Sequence, residues 1–325
     1  MKIGFFLRHL SLRGTENSTY DYADCNESIL GNQSYIFMFK KEKYLAHGLE
    51  YHDSIFTKFY QRFPIVFINE YRNIDSLCLD LKIDFFYTQT FGKHWAQGYP
   101  FGYVNSVKTF THCVFDTTER FGTIYSPISR SINTLFNTDY PVLPYMVRIH
   151  ETKETMRSEL GLSNEAIVFG RHGGVDTFDI EFVKECIKDI CSLDLPLYFL
   201  FMNTQKFINH PKVIFLESTA DPLVKQRFIN TCDAMIHARQ QGETFGLACG
   251  EFALSMKPII SFTGSKERAH LDILGNKVIG YSDKQSLHSA LINFKKGEHS
   301  MENNGYLEYT PEFVMKTFSK LVNES

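Results

Sequence analysis

The sequence carries no strong charge of either sign: 34 Lys and Arg against 37 Asp and Glu leave a net charge of −3. That excludes the basic footprint of a nucleic-acid-binding chain. It has no C-x-x-C. Its seven cysteines, Cys25, Cys78, Cys113, Cys186, Cys191, Cys232 and Cys249, are odd in number and scattered. Neither a disulfide framework nor a zinc ribbon follows from such spacing. Most lie in apolar runs, where Cys acts as a small hydrophobe, and a reducing, cytoplasmic setting is expected. Long hydrophobic runs are missing too. The opening Lys2-Ile3-Gly4-Phe5-Phe6-Leu7 stops at Arg8 and His9, too short for a signal peptide or a transmembrane segment. Peripheral membrane contact is compatible with this. The dinucleotide fingerprint G-x-G-x-x-G is missing, which argues against a dehydrogenase.

What is present is a hydrophobic share of 43% in 325 residues, enough for one large or two medium cores. Apolar runs of four to six residues alternate with helical periodicity through both halves. Ile3 to Leu7, Ser34 to Phe39, Ile65 to Ile68 and Phe85 to Thr88 read as strands of the first half. Helices are expected over residues 20–30, 74–81 and 130–136, and a solvated turn at Lys40-Lys41-Glu42-Lys43. The stretch from Asp139 to Val147 carries two prolines and no periodicity, and reads as an extended linker. A second series of strand and helix units follows. It begins with a helix over 152–160 ended by Gly161 and a strand over 166–169. A terminal helix over 311–322 would bury Phe313, Val314, Phe318, Leu321 and Val322. This predicts an α/β protein of two doubly wound domains with a cleft between them. The domains are placed at 1–147 and 148–306, with residues 307–325 as a terminal helix packing back on the first.

One stretch organises the functional reading. Gln240-Gln241-Gly242-Glu243-Thr244-Phe245-Gly246 follows the short apolar run Ala234 to His237, and a helical pattern with Leu247, Ala248, Phe252, Ala253 and Met256 on one face follows it. Strand, glycine loop and helix start in that order suit a phosphorylated ligand, with Glu243 and Glu251 placed to grip hydroxyls. Arg171 lies in the loop after a strand, beside Gly173-Gly174. A guanidinium there can grip a diphosphate in two places, and the glycines let backbone N–H groups approach. In the first half, Arg13-Gly14-Thr15 precedes a helix and reads either as close backbone approach to a ligand or as an ordinary glycine turn. His112, in the apolar run Thr109 to Phe115, reads either as a core residue or as one touching substrate. The run Gln89 to Trp95 leaves a strand end where ligands gather in open α/β sheets.

These motifs resemble a known family. Glu243-x7-Glu251, within Glu-Thr-Phe-Gly-Leu-Ala-Cys-Gly-Glu-Phe-Ala-Leu-Ser-Met-Lys-Pro-Ile-Ile, is similar to the E-x7-E signature of retaining GT-B glycosyltransferases of family 4. Gly170-Arg171 resembles that family's G-R, Arg13-Gly14-Thr15-Glu16 its G-G-x-E, and Thr111-His112 its T-H. The resemblance implies a GT-B fold, two Rossmann-like domains facing a central cleft. It implies a retaining hexosyltransferase taking a nucleotide diphosphate sugar as donor and a hydroxyl of a glycan or glycoconjugate as acceptor. Glu251 would then bind ribose and Glu243 the sugar hydroxyls. Thr244 and the amides of Phe245, Gly246 and Leu247 would line the sugar and phosphate, and Ile214 to Glu217 the base. Arg171 would neutralise the leaving diphosphate and His112 would lie by the sugar. Two departures stand out, and Thr244 in place of the family's usual Gly, which narrows the loop, is the first. The family's Lys about six residues after the Arg is replaced here by Asp176-Thr177-Phe178, leaving Lys206 or Arg239 as candidate second cations. No D-x-D is present to bridge a divalent metal to the diphosphate, so no metal and no cofactor are expected. A nucleotide-sugar epimerase on the same architecture, using His172 or His237, and a non-catalytic nucleotide-sugar binding protein are the alternatives.

Overall fold

The computed structural model describes residues 1–93 and 100–325. Residues 94–99, among them His94 and Trp95 of the 89–100 stretch, lie outside the described residues. The described chain divides into two compact units, Met1–Met146 with Tyr309–Ser325, and Val147–Glu308.

The first unit is built on strands β1 (Lys2–Leu7), β2 (Gln33–Phe39), β3 (Ile65–Ile68), β4 (Phe85–Thr90), β5 (Lys108–Cys113) and β6 (Ile124–Pro127). They form one parallel sheet in the order β3-β2-β1-β4-β5-β6. The second unit repeats the plan with β7 (Ile167–His172), β8 (Leu197–Met202), β9 (Val213–Leu216), β10 (Ala234–His237), β12 (Ile259–Phe262) and β14 (Val278–Tyr281), in the order β14-β12-β10-β7-β8-β9. A two-stranded ribbon, β11 (Gly242–Glu243) with β13 (Glu267–Arg268), stands outside that sheet. Both six-stranded sheets are doubly wound. In each the strand order reverses once, between β1 and β4 and between β7 and β10. Such a reversal opens a crevice at the carboxyl ends of the two strands.

Sheets buried on both faces require nearly all-apolar strands. Phe169, Phe199, Phe201, Ile236 and Ile260 are buried in the second core, and Phe5, Phe37, Phe86 and Phe110 in the first. The terminal helix Pro311–Asn323 belongs to the first unit, where Phe318 packs against Tyr22, Tyr87 and Phe110. Its inward face is Val314, Met315, Phe318 and Val322, while Phe313 is exposed, contrary to the sequence reading. All seven cysteines are buried and none forms a disulfide. No helix among the described residues is long and apolar enough to cross a membrane.

Several local expectations are corrected. No helix spans 152–160, because side chains take up its backbone. Thr152 Oγ1 accepts from Glu154 N and Thr231 Oγ1 from Met156 N, while Asn230 donates to Thr152 O. Only a turn at 156–161 remains, tied down by Arg157 on Asp233 at 2.7 Å. Lys41–Ala46 is a short helix rather than a solvated turn, anchored by Tyr44, whose hydroxyl donates to Leu7 O at 2.7 Å. The first helix begins at Gly14, not Tyr20; its buried N-terminal face is polar (Glu16, Ser18, Thr19), so apolar periodicity could not show it. The helix Leu247–Leu254 buries five consecutive residues, Cys249 to Ala253, rather than one stripe, and Met256 is exposed. Strand β7 runs three residues further than its apolar stretch and carries Arg171 inside it.

Gly170 shows how tightly β7 is held. A Cβ there would lie 2.1 Å from Cys232 Sγ and 3.0 Å from Cys232 Cβ. Gly170→Ala should lower stability by about 1–3 kcal/mol through overpacking, read as an earlier urea midpoint. Adding Cys232→Ala should recover part of the loss, because it removes the nearest atom.

Candidate functional site

The crevice end of the second sheet brings together Arg171 and His172 from β7, His237 from β10, and the loop that follows it. Gly242 and Gly246 shape that loop. At φ +82° Gly242 lets the backbone turn into β11, and a Cβ on it would lie 1.9 Å from Glu267 O. Gly246, at φ +86°, precedes the first turn of the helix Leu247–Leu254; a Cβ there would meet His270 Cβ and the Tyr306 hydroxyl, each at 2.9 Å. Tyr306, fully buried, donates to Phe245 O at 2.8 Å and locks the turn. The Phe245 ring is thereby buried, and Thr244 is buried with it.

Glu243 and Glu251 are each clasped by one imidazole and one cation. Glu243 Oε1 lies 3.3 Å from His237 Nε2, and its Oε2 accepts from Arg239 Nη1 at 3.0 Å. Glu251 receives Lys225 Nζ on Oε1 and has His172 Nε2 3.0 Å from Oε2, off the line of a hydrogen bond. Burial alone pushes both carboxyls up. For Glu243 this is outweighed by His237, Arg239 and the nearby His270, and for Glu251 by Lys225 and His172; each is held at about 2. Both are therefore ionised acceptors at neutral pH. His172 is pushed down by burial, which outweighs the pull of Glu251. Its ring stacks on Phe252 at 5.7 Å.

Arg171 is 4% exposed, so it is not the surface residue its place beside a glycine pair allowed. Its Nη1 donates to Asn203 O and Thr204 Oγ1, and its Nη2 to Gly174 O and Thr177 Oγ1. Burial lowers its pKa to about 10, and it stays charged. A Cβ on Gly173 would lie 2.9 Å from Arg171 Nη2, so glycine is what lets the guanidinium fold back here. Thr177 occupies the place six residues on, and it orients the guanidinium instead of adding a second charge. Arg239 is half-buried and close enough to Arg171 for the two charges to repel, whereas Lys206 is exposed. Ile214 is half-buried on β9, and Glu217, just past the strand, is exposed.

The remaining candidates belong to the first unit. Gly14 is exposed at the start of the helix Gly14–Ser28, with Thr15 beside it. Thr15 Oγ1 and Ser11 Oγ both donate to Glu16 Oε2, and burial raises that carboxyl to about 7. His112 is corrected to a core residue. It is fully buried, with Nδ1 2.5 Å from the Tyr87 hydroxyl and Nε2 2.7 Å from Leu143 O. Burial drives its pKa to about 3, so it stays neutral with both ring nitrogens occupied. It offers a substrate neither a surface nor a free nitrogen, and no catalytic part is assigned to it. Sequence reasoning missed Lys225, Thr204 and Tyr306, which lie outside any motif and arrive through the fold; it saw at Thr177 only the place of an absent lysine, not a partner of Arg171.

The two doubly wound units define the GT-B fold, and solved structures share it. A glycosyltransferase from Rickettsia africae ESF-5 is similar with a TM-score of 0.73 at 12% identity, over 99% of this chain and 98% of that one. Anabaena HepE, in complex with UDP-glucose, is similar with a TM-score of 0.72 at 14% identity, over 100% and 99%. S. aureus MnaA, solved with UDP, is similar at 0.62 and 13%, over 100% and 98%. No model of a protein family matches the chain. No curated protein matches it either.

The shifted carboxyls fix how stability responds to acid. Glu243 and Glu251 titrate below their ordinary 4.5 in the folded chain, so folding favours their ionised forms. Their contribution is complete above about pH 5 and is lost as pH falls toward 2. Glu16 has the opposite sign: its raised value means that stability falls as pH rises from 4.5 to about 7. Urea midpoints between pH 3 and about 8 should show both limbs. Glu251→Gln should flatten the acid limb, and Glu16→Gln the neutral one.

Proposed function

We propose that the chain is a glycosyltransferase that moves a hexose from a nucleotide diphosphate sugar to a hydroxyl of a glycan or glycoconjugate, with retention of configuration and without a metal. The observation that carries this reading is a pair of ionised carboxylates, Glu251 buried and Glu243 half-buried, on either side of a glycine-led helix start, at the point where the second sheet reverses its strand order. Ligands of doubly wound folds gather at such points. Carboxylates that only accept suit sugar and ribose hydroxyls, which donate. In this reading Glu251 takes the ribose and Glu243 the transferred sugar. The amides of Phe245, Gly246 and Leu247 face the sugar and phosphate, and Ile214 and Glu217 lie toward the base. The solved structures of this fold with UDP-glucose or UDP support a nucleotide sugar as donor.

Arg171 stabilises the leaving diphosphate. Its terminal N–H groups are engaged by the protein, so a phosphate oxygen would replace the hydroxyls of Thr177 and Thr204 on it. Arg239, already on Glu243 and in electrostatic reach of Arg171, is the better placed second cation of the two candidates. Preorganised charge of this kind acts where negative charge develops in the transition state. The acceptor proton then passes to the leaving phosphate, and no side-chain base is needed. The engagement of Arg171 also favours a second reading, a nucleotide-sugar binding protein without turnover.

A thermal-shift panel of UDP, GDP and ADP with their glucose conjugates should return one base that stabilises the chain. With that donor, Arg171→Ala should lower kcat/KM at least about tenfold, in line with a charge-assisted phosphate contact of roughly 1.5–3 kcal/mol. Glu251→Ala should mainly weaken binding of the free nucleoside diphosphate. Activity should persist in excess chelator. Stabilisation with neither transfer nor hydrolysis would establish the binding protein instead, and epimerised donor with no released nucleotide would establish an epimerase.

A further inference from the structure

His237 and Ser261 are register partners on β10 and β12. Their side chains begin a run of contacts of which only the last, from His237 to Glu243, has a role above. His237 Nδ1 is 3.1 Å from Ser261 Oγ, and the same oxygen is 3.0 Å from His270 Nε2. At the other end His237 Nε2 meets Glu243 Oε1 at 3.3 Å. The two rings lie 4.4 Å apart. His237, Ser261 and His270 are all buried, and the Tyr281 hydroxyl donates to His237 O, fixing the strand end that carries the first ring.

Counting protons gives the run a direction. An ionised carboxylate only accepts, so His237 Nε2 carries a proton. In a neutral ring Nδ1 is then an acceptor, and Ser261 gives its single O–H to it. Ser261 Oγ can only accept at its other contact, so His270 Nε2 carries a proton too. His270 Nδ1 is left as a bare lone pair. It is the one ring nitrogen of the run that is buried with no partner. A single proton arrangement thus satisfies all three contacts with both imidazoles neutral, and it ends at the orphaned atom.

We propose that His270, Ser261 and His237 form a positioning chain that fixes Glu243 as a two-oxygen acceptor for hydroxyls of the donor sugar. His237 holds one oxygen and Arg239 the other. Each oxygen keeps a lone pair for a ligand hydroxyl, in a plane set from within the sheet. The three residues act through Glu243 and are positioning residues. The proposal rests on the reading that Glu243 faces the transferred sugar. It adds that this chain discriminates donors by sugar hydroxyls and leaves the nucleoside diphosphate untouched.

Two measurements on the full chain test it. Nitrogen-15 NMR of labelled histidine, assigned with single variants, should find both rings in the Nε2-protonated tautomer at neutral pH. A proton on Nδ1 of either ring overturns the chain, whatever reaction the protein performs. Calorimetric titration of UDP, GDP and ADP and of their glucose conjugates then compares wild type with His237→Leu, His237→Gln and Ser261→Ala. His237→Leu should bind the diphosphate within about twofold of wild type but the conjugate about tenfold or more weakly, the loss expected of one hydrogen bond to a charged group. His237→Gln keeps a donor toward Glu243 and should recover part of that loss; Ser261→Ala should fall between. Equal losses for diphosphate and conjugate, or no loss in a folded His237→Leu, overturn the positioning role. A wild type that binds none of these ligands overturns the glycosyltransferase reading and the sugar part of the proposal together, and the tautomers alone then decide the chain.

Discussion

A carboxylate removed from water must be met by charge and hydrogen bonds or it takes up a proton. The second unit places two such groups at its strand reversal and meets each in the same way, with one imidazole and one cation. Much of the local structure follows from that demand. Strand β7 must run on to His172 to deliver an imidazole to Glu251. Strand β10 must end at His237 to deliver one to Glu243. Gly242 and Gly246 must take up left-handed backbone so that the short loop between them can aim Glu243 inward.

The two clasps differ in how far they reach along the chain. Glu243 is held by Arg239, four positions away in its own loop, and by His237, six positions away at the end of the strand before it. Glu251 is held by Lys225, 26 positions away, and by His172 on another strand. The first clasp is a local device that shapes the loop carrying Glu243. The second ties β7 and the helices Pro222–Thr231 and Leu247–Leu254 into one block. Buried pairs of this kind add little net stability over apolar packing, but losing one partner is costly because it strands the other charge. Glu251 thus carries a structural duty beside any duty toward a ligand, and a ribose would have to share it with Lys225.

Much of the architecture was legible from apolar runs alone. The strands of both sheets and the helices Ile74–Leu81 and Arg130–Phe136 follow from periodicity. Failures came where polar atoms decide. The first helix hides its N-terminal half behind buried Glu16, Ser18 and Thr19. The 152–160 segment has helical composition, yet its backbone is claimed by Thr231 and Asn230. At the site, Glu243, Glu251 and Arg171 could be picked out by their places relative to strand ends and glycines. Lys225 and Tyr306 could not, since nothing in their neighbourhoods announces a partner that only the fold supplies. His112 shows the converse. A histidine near a strand end can look chemical, and the Tyr87 hydroxyl and Leu143 carbonyl that satisfy it are invisible in the sequence.

Arg171 brings these threads to one point. A guanidinium at 4% exposure needs its N–H groups paired, and Thr177, Thr204, Gly174 and Asn203 supply that pairing. The same partners hold its plane fixed before any anion arrives, which removes the reorganisation that a flexible cation would undergo. Thr177 is central to this trade. A lysine at its position would add charge but could not accept from Arg171, and two unscreened cations in a dry site would repel. The threonine gives up a charge and gains a rigid, correctly aimed one. Arg239, neutralised in part by Glu243, can then approach without the full cost of that repulsion. On the proposed reading of Arg171 as a contact to phosphate, binding would depend less on the number of positive charges than on how firmly each is held.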